Sequence, residues 1–181
     1  VRVSELVRAE WCDVDLENGL WTIPDANSKT KHGFTVPLPD AVVGWFRALQ
    51  PFACGSRFVL PARRVGRVVR LGGDVPMAQL SLNKAFHRLT TALDGQVRPF
   101  TPHDLRSTAR SHLASLGVDP LVAERCLNHS LGGIMAIYNQ HDYLTERRAA
   151  LNLWTKKLAV LEQGKAWVPD TSNVIPMRRS A

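Results

Sequence analysis

The chain has 181 residues, enough for one domain with a substantial core and too short for two. Lys and Arg number 23 against 16 Asp and Glu, a formal charge of +7 that favours a polyanionic partner, while 45% hydrophobic and 22% charged residues exclude a wholly disordered basic tail. No run approaches the ~18 apolar residues of a membrane span and no secretory signal pattern opens the chain; the three scattered cysteines, Cys12, Cys54 and Cys126, fit neither a disulfide framework nor paired zinc ligands, so a reducing cytoplasm is the expected compartment.

The first residue is Val1 rather than Met, and residues 1–7 read as helix with no cap before them, so the chain is expected to begin inside a larger protein. Val3, Leu6, Val7 and Trp11 share one helical face, which leaves Arg2 and Glu5 three residues apart on another. After Asn18-Gly19, residues 20–24 and 34–38 read as two strands of a β-hairpin, joined by the polar turn Ser28-Lys29-Thr30-Lys31-His32-Gly33. Asp40 is expected to cap a helix from Ala41 to Leu49, and Arg57 to Leu60 is a strand candidate. Residues 61–76, with Arg63, Arg64, Arg67, Arg70 and three glycines, read as a basic loop.

Ser81 opens a helix to Leu93 that is expected to bury Leu82, Ala85, Phe86, Leu89 and Leu93. Thr101-Pro102-His103-Asp104 joins a capping threonine, a proline at the first helical position and an acid three residues after the cap, so a helix starts there and runs to about Leu116, stopped by Gly117. Asp119-Pro120 repeats the device for a helix to Leu127, and a turn over 128–133 leads to a short helix carrying Tyr138. The last helix is predicted over Leu144 to Glu162 with Leu151, Trp154, Leu158 and Leu161 on its core stripe; residues 164–181 read as a tail. The sum is an α+β fold, mainly helical with a small antiparallel sheet, in one domain over 1–163.

His103 and Arg106 project from one face near the positive end of a helix dipole, a geometry that suits a phosphate, although an isolated His-x-x-Arg is ordinarily a solvated helix start. What singles the pair out is order: Arg2-x-x-Glu5, a hairpin lysine, His103-x-x-Arg106, Leu127-Asn128-His129, and Tyr138 nine residues later.

In this order the sequence resembles the tyrosine recombinases, the phage-type integrase family, and in particular their C-terminal catalytic domain, over Val1 to about Leu161. Arg2-Val3-Ser4-Glu5-Leu6 with Trp11-Cys12-Asp13-Val14-Asp15 is similar to the box of the first catalytic arginine, and Thr101 to Arg106 to the second. Leu127-Asn128-His129-Ser130 resembles the family's Leu-Gly-His-Ser segment, with Asn128 in place of the usual glycine; Tyr138-Asn139, Asp142-Tyr143-Leu144 and Glu146-Arg147-Arg148 resemble the nucleophile segment of prophage integrases. The resemblance implies a DNA strand-exchange enzyme that acts through a covalent 3′-phosphotyrosine, without metal or cofactor, as a homotetramer on double-stranded DNA. It also implies an upstream DNA-binding domain.

The residue types suit that chemistry. A tyrosine oxygen attacks a phosphodiester and keeps its bond energy for rejoining. Two guanidiniums, Arg2 and Arg106, fork onto the non-bridging oxygens, His103 is an acid–base partner and His129 a hydrogen-bond donor to the phosphate. The resemblance assigns the proton for the leaving 5′ oxygen to a turn lysine, with Lys29 favoured over Lys31, which then contacts backbone phosphate. Spacing from His129 selects Tyr138 as nucleophile over Tyr143, read as a packing residue. His32, His87, His112 and His141 lack metal-ligand spacing. Arg63, Arg64 and Arg67 are DNA-backbone contacts or a solvated face with equal weight, and Arg110 and Arg125 are read as surface residues. Two other functions fit part of the pattern: a type IB topoisomerase-like relaxing enzyme, and a non-catalytic DNA-binding remnant.

Overall fold

The computed structural model describes residues 1–29, 31–93, 95–129 and 141–168. The short helix α1 (Val3–Val7) and a single turn of 3-10 helix over Trp11–Asp13 lead into a three-stranded antiparallel sheet, β1 (Val14–Asp15), β2 (Leu20–Ile23) and β3 (Phe34–Pro37), in the order β1-β2-β3. Along β2 the side chains alternate as a strand packed on one face requires, with Trp21 and Ile23 buried and Thr22 exposed. Ile23 pairs with Phe34 at the closed end of the hairpin, so residues 24–33 connect the two strands. Asp25 Oδ1 accepts the Gly33 N–H across it at 2.6 Å. A Cβ on Gly33 would stand 2.6 Å from the Ile23 carbonyl oxygen, so only glycine fits there.

Helix α2 (Asp40–Ala53) covers the sheet through Val43 and Phe46. It starts one residue earlier than expected and runs four residues further, because Pro39 rather than Asp40 occupies the cap and the apolar spacing persists to Ala53. With Ala9, Trp21, Ile23, Leu38 and Val59, these residues make a first core. The candidate strand at Arg57 to Leu60 joins no sheet: Phe58 makes an isolated bridge with Glu10, and the Val59 N–H donates to the Ala9 carbonyl at 2.9 Å. The basic segment is no simple loop either. It contains a short helix, α3 (Val65–Arg70), between Pro61 and Pro76, which bridge to each other.

Helix α4 (Gln79–Ala92) buries only Thr90 outright; Phe86 packs edge-on to Phe100, whereas Ala85 and Leu89, expected inside, are exposed. Helices α5 (Pro102–Ser115), α6 (Pro120–Cys126) and α7 (Leu144–Glu162) follow the expected bounds to within a residue. They share a second core of Leu113, Val122, Ala123, Cys126 and Ala150, with Tyr143, Leu151 and Trp154 packed against it. Burial pushes the Cys126 thiol up to about 11, as suits a packed, unreactive cysteine. Leu158 and Leu161, expected on the core stripe, stand outside this core and are exposed.

The two cores meet through charge. Arg147 of α7, only 2% exposed, donates to the Thr35 carbonyl of β3 at 2.6 Å and to Asp142 Oδ2 at 3.0 Å. Arg148 donates to the Asn18 carbonyl at 3.0 Å. Among the described residues no helix is long and apolar enough to cross a membrane.

Candidate active site

Arg2 sits at the cap of α1 and is held from two sides by one buried carboxylate. Glu5, 1% exposed, accepts the Arg2 backbone N–H at 2.6 Å and Arg2 Nη1 at 3.1 Å. A carboxylate desolvated to this degree needs a fixed cation beside it, so Glu5 pins both the backbone and the guanidinium of Arg2.

The first arginine, the hairpin lysine and the start of α5 come together in space. A cavity of about 570 Å³ is lined by Arg2, Lys29, His103 and Arg106, with Phe86 and Phe100 also in its wall. The start of α5 is fixed by a reciprocal cap: the Thr101 N–H and hydroxyl donate to Asp104 Oδ2 at 2.7 and 2.8 Å, and the Asp104 N–H returns to the Thr101 hydroxyl at 3.4 Å. These bonds, backbone first, hold the Asp104 carboxyl below its usual range. Pro102 fills the first helical position, so His103 stands in the first turn and Arg106 one turn further along.

Arg106 is half-buried, and desolvation followed by repulsion from Arg2 lowers its pKa. Its Nη2 donates to the Leu127 carbonyl at 2.6 Å and faces His129 Nε2 at 3.2 Å. Its Nη1 is buried and has no hydrogen-bond partner among the described residues, so part of the guanidinium is uncommitted. Two arginines and a lysine around one cavity, one arginine with an unsatisfied donor, make a site that an anion would stabilise.

His129 is placed by the end of α6. Asn128 has a left-handed backbone, φ 50°, while the His129 N–H donates to the Glu124 carbonyl and the Asn128 N–H to the Arg125 carbonyl, each at 3.1 Å. These are the two bonds of a Schellman termination, in which the position of Asn128 favours glycine and next asparagine. The substitution of Asn for Gly noted in the sequence is thus one the local backbone tolerates.

The sequence-predicted residues divide clearly. Arg2, Lys29, His103 and Arg106 share the cavity, and His129 joins them through Arg106. Tyr138 lies outside the described residues. Lys31 is exposed with a left-handed backbone and does not line the cavity. Arg63 Nη2 is tied to the Phe52 carbonyl at 2.5 Å and Arg67 Nε to the Pro76 carbonyl at 3.4 Å; with Arg64, Lys84 and Arg88 they surround a hollow of about 250 Å³.

The model of the phage integrase family matches residues 1–145. The chain belongs to the phage integrase family. Prophage integrase IntA of Escherichia coli K12 is 28% identical over 174 residues, covering 96% of this chain and 39% of that protein. The tyrosine recombinase XerC of Mycobacterium bovis BCG is 34% identical over 135 residues, 72% of this chain and 42% of its own length. This integrase-family chain therefore spans about two-fifths of the curated relatives it matches. Its fold is that of the XerA recombinase crystal structure, with a TM-score of 0.55 at 17% identity over 92% of this chain and 54% of that one.

Sequence reasoning missed two residues that touch this candidate site. Arg110, read as a surface residue, lies one turn beyond Arg106 and donates from Nε to Glu124 Oε1 at 2.6 Å, and Glu124 Oε2 meets His129 Nδ1 at 2.5 Å. The spacing of Arg106 and Arg110 by four was the available signal; nothing in the sequence marked Glu124 as the acid between Arg110 and His129.

Proposed function

We propose that this chain carries the chemical centre of a site-specific DNA recombinase, in which Tyr138 cleaves and rejoins strands of double-stranded DNA within a homotetramer of the whole protein in the cytoplasm. The observation that supports this reading most is the convergence of Arg2, Lys29, His103 and Arg106 on one cavity from three separate stretches of chain: the cap of α1, the hairpin turn and the start of α5. The phosphodiester occupies that cavity, its non-bridging oxygens bound by Arg2 and Arg106 with His129 beside them. Tyr138 Oη forms a bond to phosphorus as its proton passes to His103, and the bond to the 5′ oxygen breaks as Lys29 supplies the proton that oxygen needs. The 3′-phosphotyrosine then yields to a 5′ hydroxyl of the partner strand by the same steps reversed. Charge stabilisation and proton transfer are both supplied by side chains, so the scheme calls for no metal or cofactor. Lys31 and the hollow rimmed by Arg63, Arg64 and Arg67 hold neighbouring backbone phosphates.

The test is trapping of a covalent protein–DNA adduct on nicked duplexes bearing candidate attachment sequences. The chain forms the adduct and Tyr138→Phe abolishes it while leaving DNA affinity largely intact, because only the nucleophilic oxygen is lost. An adduct that survives in Tyr138→Phe, or maps to Tyr143, rejects the assignment. A wild-type chain that binds DNA and forms no adduct is a binding module.

A further inference from the structure

Four side chains form a continuous line that ends at Arg106, which lines the cavity: Arg110 Nε to Glu124 Oε1, Glu124 Oε2 to His129 Nδ1, and His129 Nε2 to Arg106 Nη2. We propose that Glu124 is a positioning residue for strand cleavage, holding the proton of His129 on Nδ1 and aiming Nε2 at Arg106 and the phosphate site. The inference rests on the reading of His129 and Arg106 as phosphate ligands.

Donor and acceptor roles leave little freedom in this line. Arginine has five N–H donors and no acceptor, so His129 Nε2 accepts from Arg106 Nη2 and the ring proton lies on Nδ1. Glu124 is ionised, because first the Arg110 bond and then the His129 bond hold its carboxyl below the usual range, so it accepts from both neighbours. Its main chain helps as well: the Glu124 carbonyl takes the His129 N–H at 3.1 Å. One residue therefore fixes where the imidazole starts, how it is rotated and which nitrogen carries the proton. Arg110 in turn locks Glu124, and since Arg106 and Arg110 sit on the same face of α5, the line closes on a single rigid helix.

In the loaded site an anion competes with His129 for Arg106. When the phosphate takes over the Arg106 N–H, His129 Nε2 is released from accepting it. A proton taken up there from solvent turns Nε2 into a donor to the phosphate, while Nδ1–H remains on Glu124. A neutral amide at position 124 cannot do this: its oxygen can still accept from Arg110, but its NH2 donates to Nδ1 and drives the ring proton to Nε2, where it meets an arginine donor.

The test uses Glu124→Gln, which keeps size and the Arg110 bond, with two readouts. Nitrogen-15 NMR of the histidine-labelled chain, without DNA, is expected to show His129 protonated at Nδ1 in the wild type and at Nε2 in Glu124→Gln. Adduct formation at saturating DNA is expected to slow by roughly 10–100-fold, the usual range for loss of a group that orients a ligand-binding histidine, with DNA affinity changed by less than about threefold. The same substitution made in a His129→Ala background costs nothing further, which a merely structural role would not produce. An unchanged His129 tautomer in Glu124→Gln, or a rate loss that persists without His129, overturns the proposal. The tautomer is read without DNA, so a wild-type chain that forms no adduct refutes the proposed function while the NMR still decides the role of Glu124.

Discussion

Replacing Asn128 by glycine should stabilise the protein, and the structure gives the size of the effect. Asn128 holds φ 50°, a left-handed conformation that costs an L-residue with a Cβ roughly 1–2 kcal/mol, asparagine standing at the low end. Its Nδ2 is buried with no hydrogen-bond partner among the described residues, at a cost of about 1–3 kcal/mol. Glycine removes both and adds about 0.5–1 kcal/mol of unfolded-state entropy, so a net gain of about 1 kcal/mol is the conservative outcome. For a chain of this length that is a rise of roughly 2–4 °C in Tm. Thermal melts and urea titrations with unchanged m-values measure it, and Asn128→Val, a β-branched residue in the same conformation, should fall by a similar amount or more. Both terminating hydrogen bonds are main-chain and survive in the glycine variant. A glycine variant less stable than the wild type, or a valine variant equal to it, would falsify the account of this helix end.

Lys29→Ala should be slow on ordinary DNA by ~10²–10⁴-fold and largely rescued by a 5′-bridging phosphorothioate, whose sulfur leaves without a general acid. Lys31→Ala should show a small and equal defect on both substrates; rescue of Lys31→Ala instead would move the acid two residues along the turn. The lowered Asp104 carboxyl gives a stability that is complete above the ordinary aspartate pKa of about 3.9 and is lost as pH falls through the lowered folded value. Asp104→Asn should therefore flatten the acid limb of the urea midpoint against pH below about 4, and an acid limb identical to that of the wild type would count against the cap.

Local signals were legible in the sequence. Thr101-Pro102 and Asp119-Pro120 start their helices where they are read, because a cap and a first-turn proline act within a few residues of themselves. Helix α3 escaped notice because Val65 to Arg70 has no capping side chain, contains a glycine and leaves Val65 and Val69 exposed, so neither cap nor apolar stripe announces it. In the site, the order of the motifs identified the four residues that share the cavity, yet burial of charge left no mark. Glu5 reads as the polar face of a helix and Arg147 only as part of a segment that resembles the family's nucleophile region, and both are almost wholly enclosed. Their partners decide that: Arg147 finds its acceptor at Thr35, 112 residues away, and no window of neighbouring sequence contains both.

That separation sets a timetable for synthesis. The hairpin with Lys29 is translated early, but the Thr35 and Asn18 carbonyls that α7 engages must wait for Arg147 and Arg148, 112 and 130 residues later. At ribosomal rates of ~5–20 residues per second the wait is roughly 6–25 s. During it the sheet can pack against α2, since both lie within the first 53 residues, but its outer carbonyls remain hydrated. The lysine turn is thus set against the helical half only after most of the chain has been made, and a nascent chain halted before α7 would present the hairpin without the clamp that Arg147 and Arg148 supply.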